Sequence, residues 1–169
     1  MNDPVVIVFT TSTSTIGKAI RWITHSQVSH CMIEFLDPVL GGEWIVEATA
    51  GGVRAVPAWK SRVNVVEEYE CQFDGYKVLP LLAPYVGQNY DYVGLLGLGW
   101  WLLFNRWLRI KIRYPLHDSA AQKCSELIAI FFKWANLRGT ENWFPELVTP
   151  EQLRRFCDQH AEYFARRMG

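Results

Sequence analysis

Residues 29–56 read SHCMIEFLDPVLGGEWIVEATAGGVRAV, and this stretch decides the fold. It contains three short runs rich in β-branched and aromatic residues, separated by Asp-Pro and Gly-Gly pairs that are typical of turns. Short connections of this kind join antiparallel neighbours. The stretch therefore predicts a β-meander with strands over residues 29–36, 43–48 and 53–56.

Segments on both sides of the meander complete an α+β pattern. Apolar and β-branched runs predict further strands over residues 4–10, 63–69 and 75–79. Apolar spacing predicts helices over residues 16–24 and 81–86, a helix that begins between residues 119 and 123 and ends near 137, and a last helix from residue 150. Capping boxes predict the starts of the last two, namely Ser119 with Gln122 and Thr149 with Gln152. The last helix is expected to carry an apolar stripe of Leu153, Phe156, Cys157 and Phe164.

The bulk composition predicts one ordinary globular domain over residues 1–169. Lys plus Arg and Asp plus Glu both total 17, so the net charge is zero and no nucleic-acid partner is expected. The N-terminal sequence MNDPVVIVFTT lacks the basic and apolar regions of a signal peptide, which favours a cytoplasmic location by default and leaves export by another route open. The longest apolar run, residues 92–104, has 13 residues, which is short of the ~20 that a transmembrane helix needs.

Four cysteines, Cys31, Cys71, Cys124 and Cys157, are far apart in the sequence and form no CxxC pair. Their spacing predicts reduced thiols packed as small apolar groups for Cys31, Cys71 and Cys157. A zinc site of His30 and Cys31 is disfavoured because neighbouring residues in a strand point to opposite faces. No metal or other cofactor is expected.

Cys124 lies in the sequence KCSEL (residues 123–127), at the head of an apolar run typical of a buried helix. A thiol at a helix N-terminus is close to the positive end of the helix dipole, which favours the thiolate. The backbone N–H of Cys124 is also one of the groups at a helix start that lack a partner within the helix, so it could bind an oxyanion. Cys124 is therefore a candidate nucleophile.

His30 and Glu47 are the candidate partners of this thiol. His30 opens the first strand of the meander and Glu47 lies near the end of the second, so their side chains could meet on one face of the sheet. Imidazole is the usual proton acceptor for a thiol, and a carboxylate can hold the ring in one tautomer. Taken singly, each residue also fits a structural role, and the spacing alone leaves both readings open.

Four short motifs occur in the order SHCMIEF, VEATAGGV, YDYVG and KCSELIA. In this order they resemble the circularly permuted branch of the NlpC/P60 papain-like superfamily, and within it the YiiX/YaeF-like group of cysteine hydrolases. The resemblance covers residues 5–157. It implies a permuted papain-like fold in which an antiparallel β-meander or barrel packs against the helix that carries the cysteine. It also implies that Cys124 is the nucleophile, His30 the general base and acid, and Glu47 the residue that orients His30.

The same resemblance suggests residues that contact substrate. Tyr90 and Asp91 match a Tyr-Asp pair that precedes the cysteine helix in the family, and Ser125 follows the nucleophile. All three are expected to line the substrate cleft, and the Tyr-Asp pair could instead brace the loop. For Asp91, a helix N-cap role is an equally open alternative.

The expected activity is hydrolysis of an amide, in a peptide or a peptidoglycan fragment, through an acyl-enzyme. A lipid-directed thiol acyltransferase or esterase is the first alternative, because the apolar segment from Tyr92 to Trp107 and the basic residues after it suit peripheral contact with an anionic membrane. A lid, an acyl-chain pocket and plain core packing also fit that segment. The second alternative is a non-catalytic binding module that uses the papain-like cleft. The sequence leaves the oligomeric state open.

Overall fold

The structure is a computed structural model that describes residues 4–12, 18, 21–22, 26–90 and 121–167, with the backbone alone for residues 90, 121 and 122. Its strands are β1 (Val6–Thr10), β2 (His30–Leu36), β3 (Glu43–Thr49), β4 (Gly52–Pro57), β5 (Val65–Cys71), β6 (Asn89–Tyr90), β7 (Ala121–Gln122) and β8 (Phe164–Arg166). Its helices include α1 (Gly75–Val78), α2 (Cys124–Trp134) and α3 (Pro150–Gln159). Turns of 3₁₀ helix span Ala58–Lys60, Leu79–Tyr85 and Pro145–Leu147.

A six-stranded antiparallel sheet, in the order β4-β3-β2-β1-β5-β8, forms the body of the protein. The predicted meander is its β2-β3-β4 portion, in which Ile33 pairs with Val46 and Glu47 pairs with Arg54. The short strands β6 and β7 pair in parallel, with Tyr90 beside Gln122. The α+β class and the antiparallel sheet predicted from the sequence are confirmed.

The main core lies between one face of the sheet and helix α2. It includes the buried residues Ile7, Phe9, Cys31, Ile33, Val46, Leu127, Ile128 and Phe131. The strand residues that alternate with these point to the other face, where a smaller cluster forms from Val6, Val8, Met32, Ile45 and Ala58. His30 is two residues from Met32 in β2, and Glu47 is two residues from Ile45 in β3, so both alternate to this second face of the sheet.

Helix α3 begins as the sequence predicts. Thr149 accepts a hydrogen bond from the Gln152 backbone N–H at 3.2 Å, and the Gln152 side chain accepts one from the Thr149 N–H at 2.8 Å. The predicted stripe of Leu153, Phe156 and Cys157 is buried. Phe164 is a correction, because it lies in β8 beyond the end of α3, although its ring still packs 6.1 Å from that of Phe156.

Two other elements differ from the prediction. Residues 75–79 do not form a strand: Gly75–Val78 is helical and leads into the 3₁₀ turn Leu79–Tyr85, where the expected 81–86 helix was placed. A five-residue run is too short for its apolar periodicity to distinguish a strand from a helical turn. Of the predicted 16–24 helix, residues 18, 21 and 22 are helical and the rest lie outside the described residues.

The start of α2 also differs from the prediction. The capping box of Ser119 and Gln122 is wrong, because Gln122 is extended in β7 and the helix begins at Cys124 with Lys123 as its N-cap. The helix ends at Trp134 rather than near 137. Pairing of Gln122 with β6 holds the chain extended up to the residue before the N-cap, so Cys124 itself becomes the first helical residue. Within the described part of the chain, no helix has the length and apolar character to cross a membrane.

Candidate active site

Cys124 is the first residue of α2, and its side chain is almost completely enclosed, with 5% of the residue exposed. The Lys123 side chain does not cap the helix, so it leaves the N–H groups of the first turn to other partners. The Cys124 thiol lies close enough to His30 and Cys31 for both residues to shift its pKa. The strand order therefore brings two consecutive residues of β2 to the start of the helix.

His30 joins this thiol to a carboxylate. It is the first residue of β2, so its ring lies at the end of the strand, where both Cys124 and Glu47 act on it. Its Nε2 is 2.8 Å from Oε2 of Glu47, and its ring is also close enough to Cys124 for the two groups to shift each other's pKa. Because Nε2 is taken by Glu47, Nδ1 is the ring nitrogen left for the thiol. The His30 side chain is 20% exposed, which leaves the ring partly open to solvent.

Glu47 is held on both of its oxygens although it is 2% exposed. Oε2 contacts His30, while Oε1 accepts hydrogen bonds from Arg54 Nε at 3.0 Å and Arg54 Nη2 at 2.8 Å. The Ser61 hydroxyl also donates to Oε1 and accepts from Arg54 Nη2 at 2.9 Å. A buried carboxylate is costly unless it is paired and hydrogen-bonded, and this one is paired with two basic side chains.

These contacts move the pKa values of His30 and Glu47 away from their ordinary ranges. Burial lowers the pKa of His30, but hydrogen bonds and charge from Cys124 and Glu47 outweigh it and raise the pKa from 6.5 to about 10. Burial raises the pKa of Glu47, but hydrogen bonds from His30, Ser61 and Arg54 and the charge of His30 lower it from 4.5 to about 2. The pair therefore favours an imidazolium beside a carboxylate at neutral pH.

Cys124 differs from the other three cysteines in the direction of its pKa shift. A hydrogen bond from Cys31 and the hydrogen bond and charge of His30 lower the pKa of Cys124 well below its ordinary value, against the opposing effect of burial. Burial raises the pKa of Cys31, Cys71 and Cys157. All four thiols are free and buried, so the neighbours of Cys124 distinguish it rather than its exposure.

The structure thus brings Cys124, His30 and Glu47 together, and their catalytic roles stay predictions. Tyr90 lies in β6 and pairs with Gln122, which is two residues before Cys124 in the sequence. Asp91 lies outside the described residues. Ser125 is buried and its hydroxyl donates to the Val148 carbonyl at 2.7 Å, which ties the start of α2 to the segment before α3. Contact of Tyr90, Asp91 or Ser125 with substrate stays a prediction. The apolar segment that follows Asp91, residues 92–107, is also outside the described residues.

Three residues of the site were missed by the sequence reasoning. Arg54 and Glu47 are directly opposed across the β3–β4 hairpin, so the predicted strands and the Gly-Gly turn between them could have revealed this pair. Ser61 comes from the turn after the 3₁₀ segment Ala58–Lys60, and no local pattern marks its return to Glu47. Cys31 alternates to the α2 side of β2 as strand parity requires, but only the packing of α2 shows that it meets Cys124.

Comparison with known proteins identifies a solved structure with a similar fold. No protein-family model matches the chain, and no curated protein matches its sequence. Among solved structures, it is similar to the crystal structure of metalloprotein yiiX from Escherichia coli O157:H7, with a TM-score of 0.63 and 17% sequence identity. The similarity covers 99% of this chain and 97% of that protein. The chain thus has a yiiX-like fold, in agreement with the group that its motifs resemble.

The name of that neighbour raises the question of a metal in this chain. Among the described residues, no group of three or more His, Cys, Asp and Glu side chains is placed to hold a metal ion. At the candidate site, Nε2 of His30 is engaged by Glu47, and Oε1 of Glu47 already accepts from Arg54 and Ser61. The described side chains therefore do not fit a metal centre.

Proposed function

We propose that this protein is a cysteine hydrolase of the permuted papain-like, NlpC/P60 type that cleaves an amide through an acyl-enzyme. One arrangement carries the proposal: Cys124 begins helix α2 beside His30, whose Nε2 lies 2.8 Å from the buried Glu47 carboxylate. In this setting the pKa of Cys124 is lowered while that of His30 is raised to about 10. Opposite shifts of this kind favour a thiolate–imidazolium pair near neutral pH, which is the activated form of a cysteine nucleophile. The yiiX-like fold and the order of the sequence motifs support the same class.

The proposed reaction has two halves, formation of the acyl-enzyme and its hydrolysis, and Cys124 and His30 act in both. The Cys124 thiolate attacks the amide carbonyl, and the oxyanion that forms is stabilised by N–H groups at the start of α2. The His30 imidazolium gives its proton to the amine as the C–N bond breaks, leaving a thioester on Cys124. Neutral His30 then takes a proton from water, the resulting hydroxide displaces the thiolate, and the acid product leaves. Glu47 holds the imidazole throughout and stabilises its charged form.

The first test compares alkylation of individual cysteines by iodoacetamide as a function of pH, followed by mass spectrometry. Cys71 is a matched internal control, because it is also 5% exposed but burial raises its pKa. We expect Cys124 to react at a pH well below the ~8.5 of a free thiol, while Cys71 does not. The His30→Ala variant should lose this low-pH reactivity, because the imidazolium that stabilises the thiolate is gone.

A second measurement does not depend on access of the reagent. Titration of the Cys124 ¹³Cβ chemical shift reports the thiolate directly, in the wild type and in His30→Ala. If Cys124 titrates like an ordinary thiol in the wild type, or if His30→Ala leaves its titration unchanged, the hydrolase proposal is wrong and a binding module becomes the better explanation. Once a substrate is identified, Cys124→Ala should abolish turnover.

A further inference from the structure

The two oxygens of the Glu47 carboxylate have different partners. Oε2 contacts His30, whereas Oε1 receives three hydrogen bonds, two from Arg54 and one from Ser61. Arg54 and Ser61 also hydrogen-bond to each other at 2.9 Å, so the three side chains form a closed triangle. A carboxylate held in this way cannot rotate without breaking contacts to both donors.

We infer that Arg54 and Ser61 are positioning residues, which fix the Glu47 carboxylate so that Oε2 faces His30 and keeps the imidazole aligned with Cys124. The inference rests on the proposed function, because it assigns these two residues a role in the same thiolate–imidazolium pair. Neither residue has a described contact with Cys124 or His30, so each would act through Glu47.

Charge gives Arg54 a second part in this arrangement. Glu47 is 2% exposed, and a carboxylate buried to this degree tends to take up a proton unless basic groups compensate it. The Arg54 side chain is 47% exposed, so its guanidinium stays well hydrated while its Nε and Nη2 reach the buried oxygen. Arg54 thus supplies a positive charge on one side of Glu47, and the other side stays available for imidazolium.

A purely structural explanation exists and makes a different prediction. Arg54 lies opposite Glu47 in the β3–β4 ladder, so the pair could simply stabilise the hairpin. Loss of such a salt bridge would lower the free energy of unfolding but leave the pH dependence of Cys124 unchanged. A positioning role requires that the pH dependence itself change.

The test uses Arg54→Gln, Arg54→Lys, Ser61→Ala and Ser61→Thr, with two measurements on each full-length variant. These are the ¹³Cβ titration of Cys124 and its rate of alkylation by iodoacetamide across pH. With fewer donors on Oε1, the pKa of Glu47 rises. The lowest pH at which Cys124 still reacts, its acid limit, should therefore move to higher pH in Arg54→Gln and Ser61→Ala. One unit of this movement corresponds to about a tenfold loss of rate on the acid limb. Arg54→Lys and Ser61→Thr, which keep the charge and the hydroxyl, should recover part of the loss.

Arg154→Gln is the matched control. Arg154 makes the same kind of contacts to Glu151, with Nη2 3.0 Å from Oε1 and Nε 3.1 Å from Oε2, and hydrogen bonds also lower the pKa of Glu151 to about 2. No described contact joins Arg154 to Cys124, His30 or Glu47, so this variant should leave Cys124 unaffected. Thermal unfolding of each variant identifies any that fails to fold, and the conservative pair Arg54→Lys and Ser61→Thr keeps the test available in that case.

A double-variant cycle separates failure of this inference from failure of the proposed function. If Arg54 acts through His30, adding Arg54→Gln to His30→Ala should cause no further change in Cys124. If His30→Ala alone changes nothing, the proposed function fails. If His30→Ala abolishes the low-pH reactivity but Arg54→Gln and Ser61→Ala retain the wild-type pH profile, the positioning role is wrong and the hydrolase proposal stands.

Discussion

His30 and Glu47 are joined by a contact of 2.8 Å between Nε2 and Oε2 that links the first residue of β2 to a buried carboxylate of β3. This contact fixes the tautomer of the neutral ring, because a hydrogen on Nε2 can be donated to the carboxylate and Nδ1 is then an acceptor. It also stabilises the charged ring. The same pair of atoms therefore sets both the direction in which His30 exchanges protons and the pH range in which it does so.

Glu47→Gln removes the charge of this contact while keeping the size of the side chain. We expect the pKa of His30 to fall from about 10 towards its ordinary 6.5, because the hydrogen bond and charge of Glu47 both raise it. The pKa of Cys124 should then rise, because a less charged His30 stabilises the thiolate less. NMR titration of the His30 ring and of Cys124 ¹³Cβ measures both changes.

Glu162→Gln provides the control for that experiment. Glu162 makes a contact of the same length, 2.8 Å, with Nδ1 of His160, but on the surface of the protein. Its loss should leave the titration of His30 and Cys124 unchanged. An unchanged His30 titration in Glu47→Gln would show that Glu47 does not control the ring.

Cys31 is predicted to tune the nucleophile from the other side. Its buried thiol lies on the α2 side of β2, and hydrogen bonding from Cys31 lowers the pKa of Cys124. Cys31→Ala should therefore raise the pKa of Cys124, whereas Cys31→Ser keeps a donor and should raise it less. Cys71→Ala removes a thiol of similar burial away from the site and serves as the control. Equal titrations in Cys31→Ala and the wild type would assign Cys31 to core packing alone.

The stability of the protein should depend on pH at both ends of the range. The folded-state pKa of Glu47, about 2, lies below its ordinary 4.5, so its contribution is fully present above pH 4.5 and is lost as the pH falls to about 2. The folded-state pKa of His30, about 10, lies above its ordinary 6.5, so its contribution is fully present below pH 6.5 and is lost as the pH rises through about 10. Urea unfolding across pH measures both slopes.

Variants assign those slopes to particular residues. Glu47→Gln should remove on the order of 2–3 kcal/mol of the stability that the wild type loses between pH 4.5 and about 2. A residual acid slope should remain because the pKa of Glu151 is also about 2. His30→Gln should flatten the alkaline slope. Wild-type slopes in both variants would mean that other groups dominate the pH dependence of the free energy of unfolding.

The sequence predicted most of the sheet and the α3 cap because local chemistry determines them. The alternation of residues 29–36, the Gly-Gly turns and the Thr149–Gln152 capping box are all short-range signals, and the structure contains each of them. The 75–79 strand was wrong because a short apolar run has no period long enough to distinguish a strand from a helical turn. Tertiary contacts decide the secondary structure of such segments.

The candidate site shows the same limit. Cys124, His30 and Glu47 could be named from motif order, but the start of α2 was misplaced because the pairing of Gln122 with Tyr90 is not visible in local sequence. Ser61 reaches Glu47 from 14 positions along the chain, through a turn that carries no motif. Residues that support a site through non-local contacts are thus the ones that a single sequence conceals.

The β3–β4 hairpin that opposes Glu47 and Arg54 depends on Gly52. This residue has φ +100°, and a Cβ there would lie 2.4 Å from the Gln88 carbonyl oxygen, which accepts a hydrogen bond from the Val53 N–H at 2.9 Å. We expect Gly52→Ala to lower the free energy of unfolding by roughly 3 kcal/mol, because it adds both backbone strain and a clash with backbone that cannot move freely. Gly42→Ala separates the two effects, since φ is +81° but nothing lies within 4 Å, and about 1–2 kcal/mol is expected there. Urea unfolding gives both values, and equal losses in the two variants would show that the Gln88 contact relaxes without cost.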